Sequence, residues 1–181
     1  MAGFIKRMAR AAKLDPSLYE EVEADKRAFS QAIIVVLLSG IAAGIGTLSL
    51  EGLAGLITGT IIDLTAWFLW SYLTYFIGVK FLPEPQTKAD YGQLLRAIGF
   101  SSSPGVIRVL GVFSPLVRII IYFLAWAWMM IAMIIAVKHA LDYKSTLRAI
   151  LVCLISLSIL IFLFALAYYI ILEKIFTPFY L

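Results

Sequence analysis

Charge is what this chain has least of. Asp, Glu, Lys and Arg make up only 14% of its 181 residues, against about a quarter in an ordinary soluble domain. With 62% hydrophobic residues and a mean hydropathy of +0.97, there is too little polar surface to clothe a water-facing globule. A single cysteine, Cys153, excludes an intramolecular disulfide, and its apolar surroundings suit a small buried residue. A single histidine, His139, with no cysteine beside it leaves zinc without a ligand set. The HExxH, GxSxG and phosphate-loop patterns are missing. Basic residues do not interleave with aromatics, so nucleic acid is not a partner. No cofactor or metal site is expected.

What is present is a series of apolar runs of about 20 residues, the length that crosses a ~30 Å hydrocarbon core. The expected class is all-α, a polytopic membrane protein with five transmembrane helices. The spans fall near 29–50, 53–79, 91–113, 116–137 and 147–172, with a short tail over 173–181. Residues 1–28 form an N-terminal region ahead of one membrane domain, 29–181. Twenty-eight mixed-charge residues before the first apolar run make a poor match to a cleaved signal peptide.

Residues 3–14 read as an amphipathic interfacial helix at ~100° per residue. Phe4, Ile5 and Met8 share one face; Lys6, Arg7, Arg10 and Lys13 share the other, placed to meet anionic inner-leaflet lipid. A short soluble tail is the alternative. Asp15-Pro16 predicts a helix start, aspartate capping and proline at the first turn. Glu20, Glu21 and Glu23 then read as a solvated helix face.

The first two spans carry small-residue stripes, Gly40 and Gly44 on one, Gly55 and Gly59 on the other, joined at Glu51-Gly52. They predict an antiparallel hairpin with close backbones; a homo-oligomer through one stripe is the rival. Trp126 and Trp128, near the middle of the fourth span, are expected to pack against helices. His139 is expected to hydrogen-bond locally at that span's cytoplasmic end.

The third span is a broken helix. Between Arg96 and Arg108 it holds Ser101, Ser102, Ser103, Pro104 and Gly105, and lipid cannot satisfy a broken backbone, so this stretch must be enclosed by protein or line a wet cavity. Asp63 lies ten residues from the outer turn, about 15 Å down at ~1.5 Å per residue, at matching depth. Three readings follow: a bundle clamp with Arg108 or Arg118, a polar pocket for an ion, proton or headgroup with Ser102, Ser103 and Pro104, or a lone protonated carboxyl. His139 sits at the wrong end of its span to activate a serine, so no enzyme is expected. Lys and Arg number six in the N-terminal region, three around the second-to-third loop counting Arg96, three in the loop from Lys138 to Arg148, and three on the opposite side. That bias places the N-terminus in the cytoplasm and the C-terminus outside.

Three stretches resemble the Yip domain family, five-span membrane proteins named for interaction with Ypt/Rab GTPases. They are Leu14-Asp15-Pro16 with Tyr19, Val22 and Asp25; Leu94-Leu95-Arg96-Ala97-Ile98-Gly99-Phe100 leading to Pro104; and Val137 and His139 followed by Thr146 and Ala149. The resemblance implies a five-span bundle with a cytoplasmic N-terminus. It is closest in form to the short prokaryotic type, in a bacterial or archaeal plasma membrane. The long cytosolic region of the eukaryotic members is missing, which speaks against a GTPase partner. The resemblance implies a non-enzymatic membrane-organising or trafficking-type scaffold. The alternative is a small transporter, channel or lipid-handling protein using Asp63 and the 101–105 break.

Overall fold

The structure, a computed structural model, describes residues 2–176; the end of the tail read from the sequence, with Pro178, lies outside them. The regular structure of the described residues is all helical, with no strand among them. Helices α1 (Ala2–Ala12) and α2 (Pro16–Ala24) make a hairpin ahead of the bundle. Asp15 caps α2, accepting from Ser17 N at 3.0 Å, with Pro16 in the first turn as the sequence predicts. Leu18, Tyr19 and Val22 are fully buried, at about 1.5–3 kcal/mol of transfer energy apiece, so α2 is seated on the bundle.

Helix α3 (Ala28–Phe76) is two arms, because Gly52 takes φ +64°, ψ −165° and reverses the chain. A side chain is strained there, and glycine alone adopts it at no steric cost. The arms pack back to back at the first arm's glycines. A Cβ on Gly44 would stand 2.8 Å from Leu56, and one on Gly40 3.3 Å from Thr60. The second stripe does not take part. A Cβ on Gly55 would meet its own Glu51, and Gly59 has nothing within 4 Å. The second arm therefore offers side chains to the first arm's bare backbone, and the two stripes do not interlock.

A π turn (Ile77–Phe81) ends the second arm. Helix α4 (Tyr91–Ser101) opens with a capping box between Asp90 and Gln93, then gives way to a 3-10 helix (Ser103–Val112). Helices α5 (Pro115–Ala140) and α6 (Thr146–Phe176) complete the chain. Among the described residues, three helical stretches are long and apolar enough to cross a membrane: Ala28–Phe81, Pro115–Ala140 and Thr146–Glu173. The core gathers α2, the start of α3, α4 and the C-terminal half of α5 around Phe100 and Leu94. Helix α6 joins it through Ala149, Val152 and Cys153, with Ser156 and Leu160 buried further along; residues 161–171 are exposed on every side.

Trp128 is partly exposed and donates its indole N–H to the Ala12 carbonyl of α1 at 2.8 Å, and Trp126, 54% exposed, borders the same cavity as Trp67 and Trp70 of α3. One expectation needs correction. His139 does not bond locally: its Nδ1 lies 3.0 Å from Glu20 on α2. Helical periodicity assigns a face to each residue and is silent on which neighbour covers it.

Candidate functional site: an ion pair between two cavities

The 3-10 helix brings Arg108 inward. Its Nη2 donates to Asp63 Oδ2 at 3.1 Å, Ser39 Oγ at 2.8 Å and Ser39 O at 2.9 Å, and its Nε donates to Gly105 O at 3.1 Å. One guanidinium thus ties both arms of α3 to the 3-10 segment. Two close approaches make this possible. A Cβ on Gly46 would overlap the Arg108 carbonyl oxygen, and one on Gly105 would overlap Ser39 Oγ. Tyr122 of α5 adds a hydrogen bond to the Ala43 carbonyl. The pair is not sealed from solvent: the side chains of Arg108 and Asp63 are 15% and 36% exposed.

Two cavities meet at this pair. A crevice of about 200 Å³ runs from Glu51 at the hairpin tip past Thr47 and Tyr122 to Asp63 and Arg108. A more enclosed cleft of about 130 Å³ continues from the pair between Trp67, Trp70, Trp126 and three methionines. Ser102 and Ser101 line the cleft. Ser103 bonds the Phe100 carbonyl at 2.7 Å and is buried, as is Pro104, so neither faces the cavities. Arg118 stands apart, its Nη1 3.4 Å from Ser49 Oγ.

The basic face of α1 is divided. Arg7 bonds Glu21 at 2.8 Å and Asp25 at 2.9 Å, and Arg10 bonds Asp15 at 2.7 Å as well as Glu21. Of the acids read as a solvated face, Glu21 is a partner of α1, Glu20 meets His139 of α5, and Glu23 is half-buried. The guanidinium of Arg10 holds the Glu21 carboxyl below its ordinary range, and Arg7 does the same to Asp25. Lys6 and Lys13 make no ion pair among the described residues.

Two further polar residues were not legible. Arg96 is buried and donates to the Val22 carbonyl at 3.0 Å and to that of Glu23, capping the C-terminus of α2. Glu84 accepts from the backbone N–H groups of Lys144 and Ser145 at 2.9 and 3.1 Å, which depresses its pKa and fixes the entry to α6. The capping signal in Glu84 was masked by the 60-odd residues between partners.

Glu23 is the anomaly of this end. It is half-buried, its Oε2 is buried without a hydrogen-bond partner, and burial with the nearby Asp142 and Glu20 carboxylates pushes its pKa up to about 7. The folded state thus holds this proton more tightly than the unfolded chain. Glu23 costs nothing below pH about 4.5 and becomes destabilising as pH rises through about 7. Solvent screening of a half-exposed group reduces the full shift to about 1 kcal/mol. Glu23→Gln should therefore raise the melting temperature relative to wild type at pH 8.5 and leave it unchanged at pH 4, by scanning fluorimetry in detergent. An equal gain at both pH values would remove ionisation as the cause.

Among known proteins, the family model of the Yip1 domain matches residues 15–167. No curated protein and no solved structure matches the chain.

Proposed function

The chain belongs to the Yip1 domain family, and from that premise we propose that it is a non-enzymatic, membrane-organising scaffold that crosses the bilayer five times. Its membrane character rests on the family and on its long apolar helices. The five-crossing count is supported by length. Each α3 arm has 24 residues, about 36 Å at ~1.5 Å per residue. The 11 residues of α4 and the 10 of the 3-10 helix add about 16 Å and about 20 Å, enough together for a ~30 Å core.

The observation that carries the scaffold reading is the Asp63–Arg108–Ser39–Gly105 network, which spends a costly intramembrane charge on joining three segments of one bundle. A transporter or channel would instead need the pair to open. The Lys and Arg bias puts the N-terminus in the cytoplasm, and the resemblance to the short prokaryotic members supports a prokaryotic plasma membrane. There α1 and α2 cap the bundle, and Lys6 and Lys13 are left to meet anionic lipid.

Two readouts test this. In intact cells, a membrane-impermeant maleimide should label Leu53→Cys, and should reach Thr87→Cys only after permeabilisation. Vesicles holding the purified protein should pass protons and potassium no faster than protein-free vesicles. Labelling of Thr87→Cys in intact cells would overturn the topology, and flux that depends on Asp63 would overturn the scaffold.

A further inference from the structure

The ion pair leaves one atom free on each partner. Arg108 uses Nη2 and Nε, and its Nη1 makes no hydrogen bond among the described residues. Asp63 uses Oδ2 alone. Neither free atom is walled off, since the buried, unpartnered side-chain atoms are those of Tyr19, Glu23 and Ser71. The two residues, each with an unused polar atom, line both the crevice and the cleft.

We propose that this junction seats one zwitterionic phospholipid of the ethanolamine type. Its phosphate lies on Arg108 Nη1, its ammonium on Asp63 Oδ1, and part of one acyl chain in the tryptophan- and methionine-lined cleft. Charge complementarity selects the headgroup. A net anionic head would face Asp63 and Glu51 as well as Arg108, and a simple cation would face Arg108. A head carrying both signs satisfies both. An ammonium with N–H donors suits carboxylate acceptors better than a quaternary one.

Depth does not exclude the head, because Glu51, Thr47 and Tyr122 line the crevice between the hairpin tip and the ion pair. The cleft has the size of cavities of about 150 Å³ that take up benzene, so it holds a chain segment and not a whole tail. The remainder leaves past Trp126, which lines the cleft and is 54% exposed. Methionine walls adapt to an irregular chain.

The assignment rests on the five-crossing reading, of which the maleimide experiment tests the first hairpin, with its tip outside and the loop after it inside, without any lipid. The lipid test uses the full chain in detergent. Phosphatidylethanolamine, phosphatidylglycerol of the same chains and water-soluble phosphoethanolamine are titrated separately, and adducts are counted by native mass spectrometry. One ethanolamine-lipid adduct is expected, half-saturated at a concentration at least about tenfold below that for the glycerol lipid. Ala66 and Met130 line the cleft and take no part in the ion pair, so Ala66→Phe and Met130→Trp should each fill the cleft and leave the pair intact. Each should erase that preference at an unchanged melting temperature. Equal binding of the two lipids, or an undiminished preference in both cleft-filled variants, overturns the proposal. Displacement of the lipid by an equal concentration of phosphoethanolamine also overturns it, making the ligand a soluble zwitterion.

Discussion

Gly46→Val should lower the melting temperature of the detergent-solubilised protein by about 6–12 °C. The first arm of α3 meets the 3-10 helix at this residue with no space for a side chain. An added Cβ would overlap the Arg108 carbonyl oxygen and stand 2.8 Å from the Tyr122 hydroxyl. The obstacle is backbone, which cannot rotate out of the way as a side-chain tip can. Overpacking of this kind costs about 1–3 kcal/mol, and a backbone obstacle belongs at the upper end. At about 2–4 °C per kcal/mol for a chain of this size, the quoted range follows. Gly59→Val is the control, since nothing lies within 4 Å of that position; its melting temperature should stay within about 2 °C of wild type. Similar losses at both sites would mean that valine perturbs the helices through propensity, and that the approach at Gly46 does not hold the bundle. Displacing the 3-10 helix would also carry Arg108 away from Asp63, so lipid preference should fall with stability.

How far the sequence foretold this arrangement depended on the range of the interaction. Local chemistry was legible. Asp15 and Pro16 start α2, Gly52 turns the hairpin, and the helix ends around Ser114-Pro115 and 140–146 fall within a few residues of the apolar runs. Each of these is decided by neighbours in the chain. The change of helix type at Ser102 follows from Pro104 and Gly105 in the same way. Partner choice across space was not legible. Arg108 and Arg118 were equivalent candidates for Asp63; the 3-10 helix turns Arg108 inward and leaves Arg118 at Ser49. Arg96 counted as a surface cation and is in fact buried against the carbonyls ending α2, 73 and 74 residues away. Arg7 and Arg10 have the spacing of a lipid-facing stripe, but α2 folds its acids under them. A charge pattern on one helix fixes its own direction only, and a second helix can supply the counter-ion before a membrane does. The same limit hid the cleft, whose walls come from four separate segments.

The second large effect is expected at the ion pair. Arg108→Ala should destabilise the protein by about 2–3 kcal/mol. Removing one member of a buried pair usually costs about 3–5 kcal/mol because the survivor is left charged and unmatched. Here the Asp63 side chain is 36% exposed, so water in the crevice screens part of that penalty. Asp63→Asn should cost less, about 1 kcal/mol, since an amide oxygen still accepts from Arg108 Nη2. The double variant decides between clamp and working group. If the pair is a clamp, Asp63→Asn in an Arg108→Ala background should be neutral or stabilising, because it removes the orphaned charge, and the coupling should exceed about 0.5 kcal/mol. The measurement is a chemical or thermal denaturation series on four proteins, read alongside proton flux in vesicles. Additive losses would show that Asp63 and Arg108 act separately. An unperturbed melting curve for Asp63→Asn, together with the loss of a flux that wild type carries, would assign Asp63 to a transport path. Ser39 supplies an independent check. It holds Arg108 Nη2 through both its hydroxyl and its carbonyl, so Ser39→Ala should loosen the guanidinium without removing either charge. That variant should shift stability by well under half the Arg108→Ala loss, because the carbonyl bond survives. A loss as large as that of Arg108→Ala would mean that the serine hydroxyl, and not the charge pair, fastens the 3-10 helix to α3.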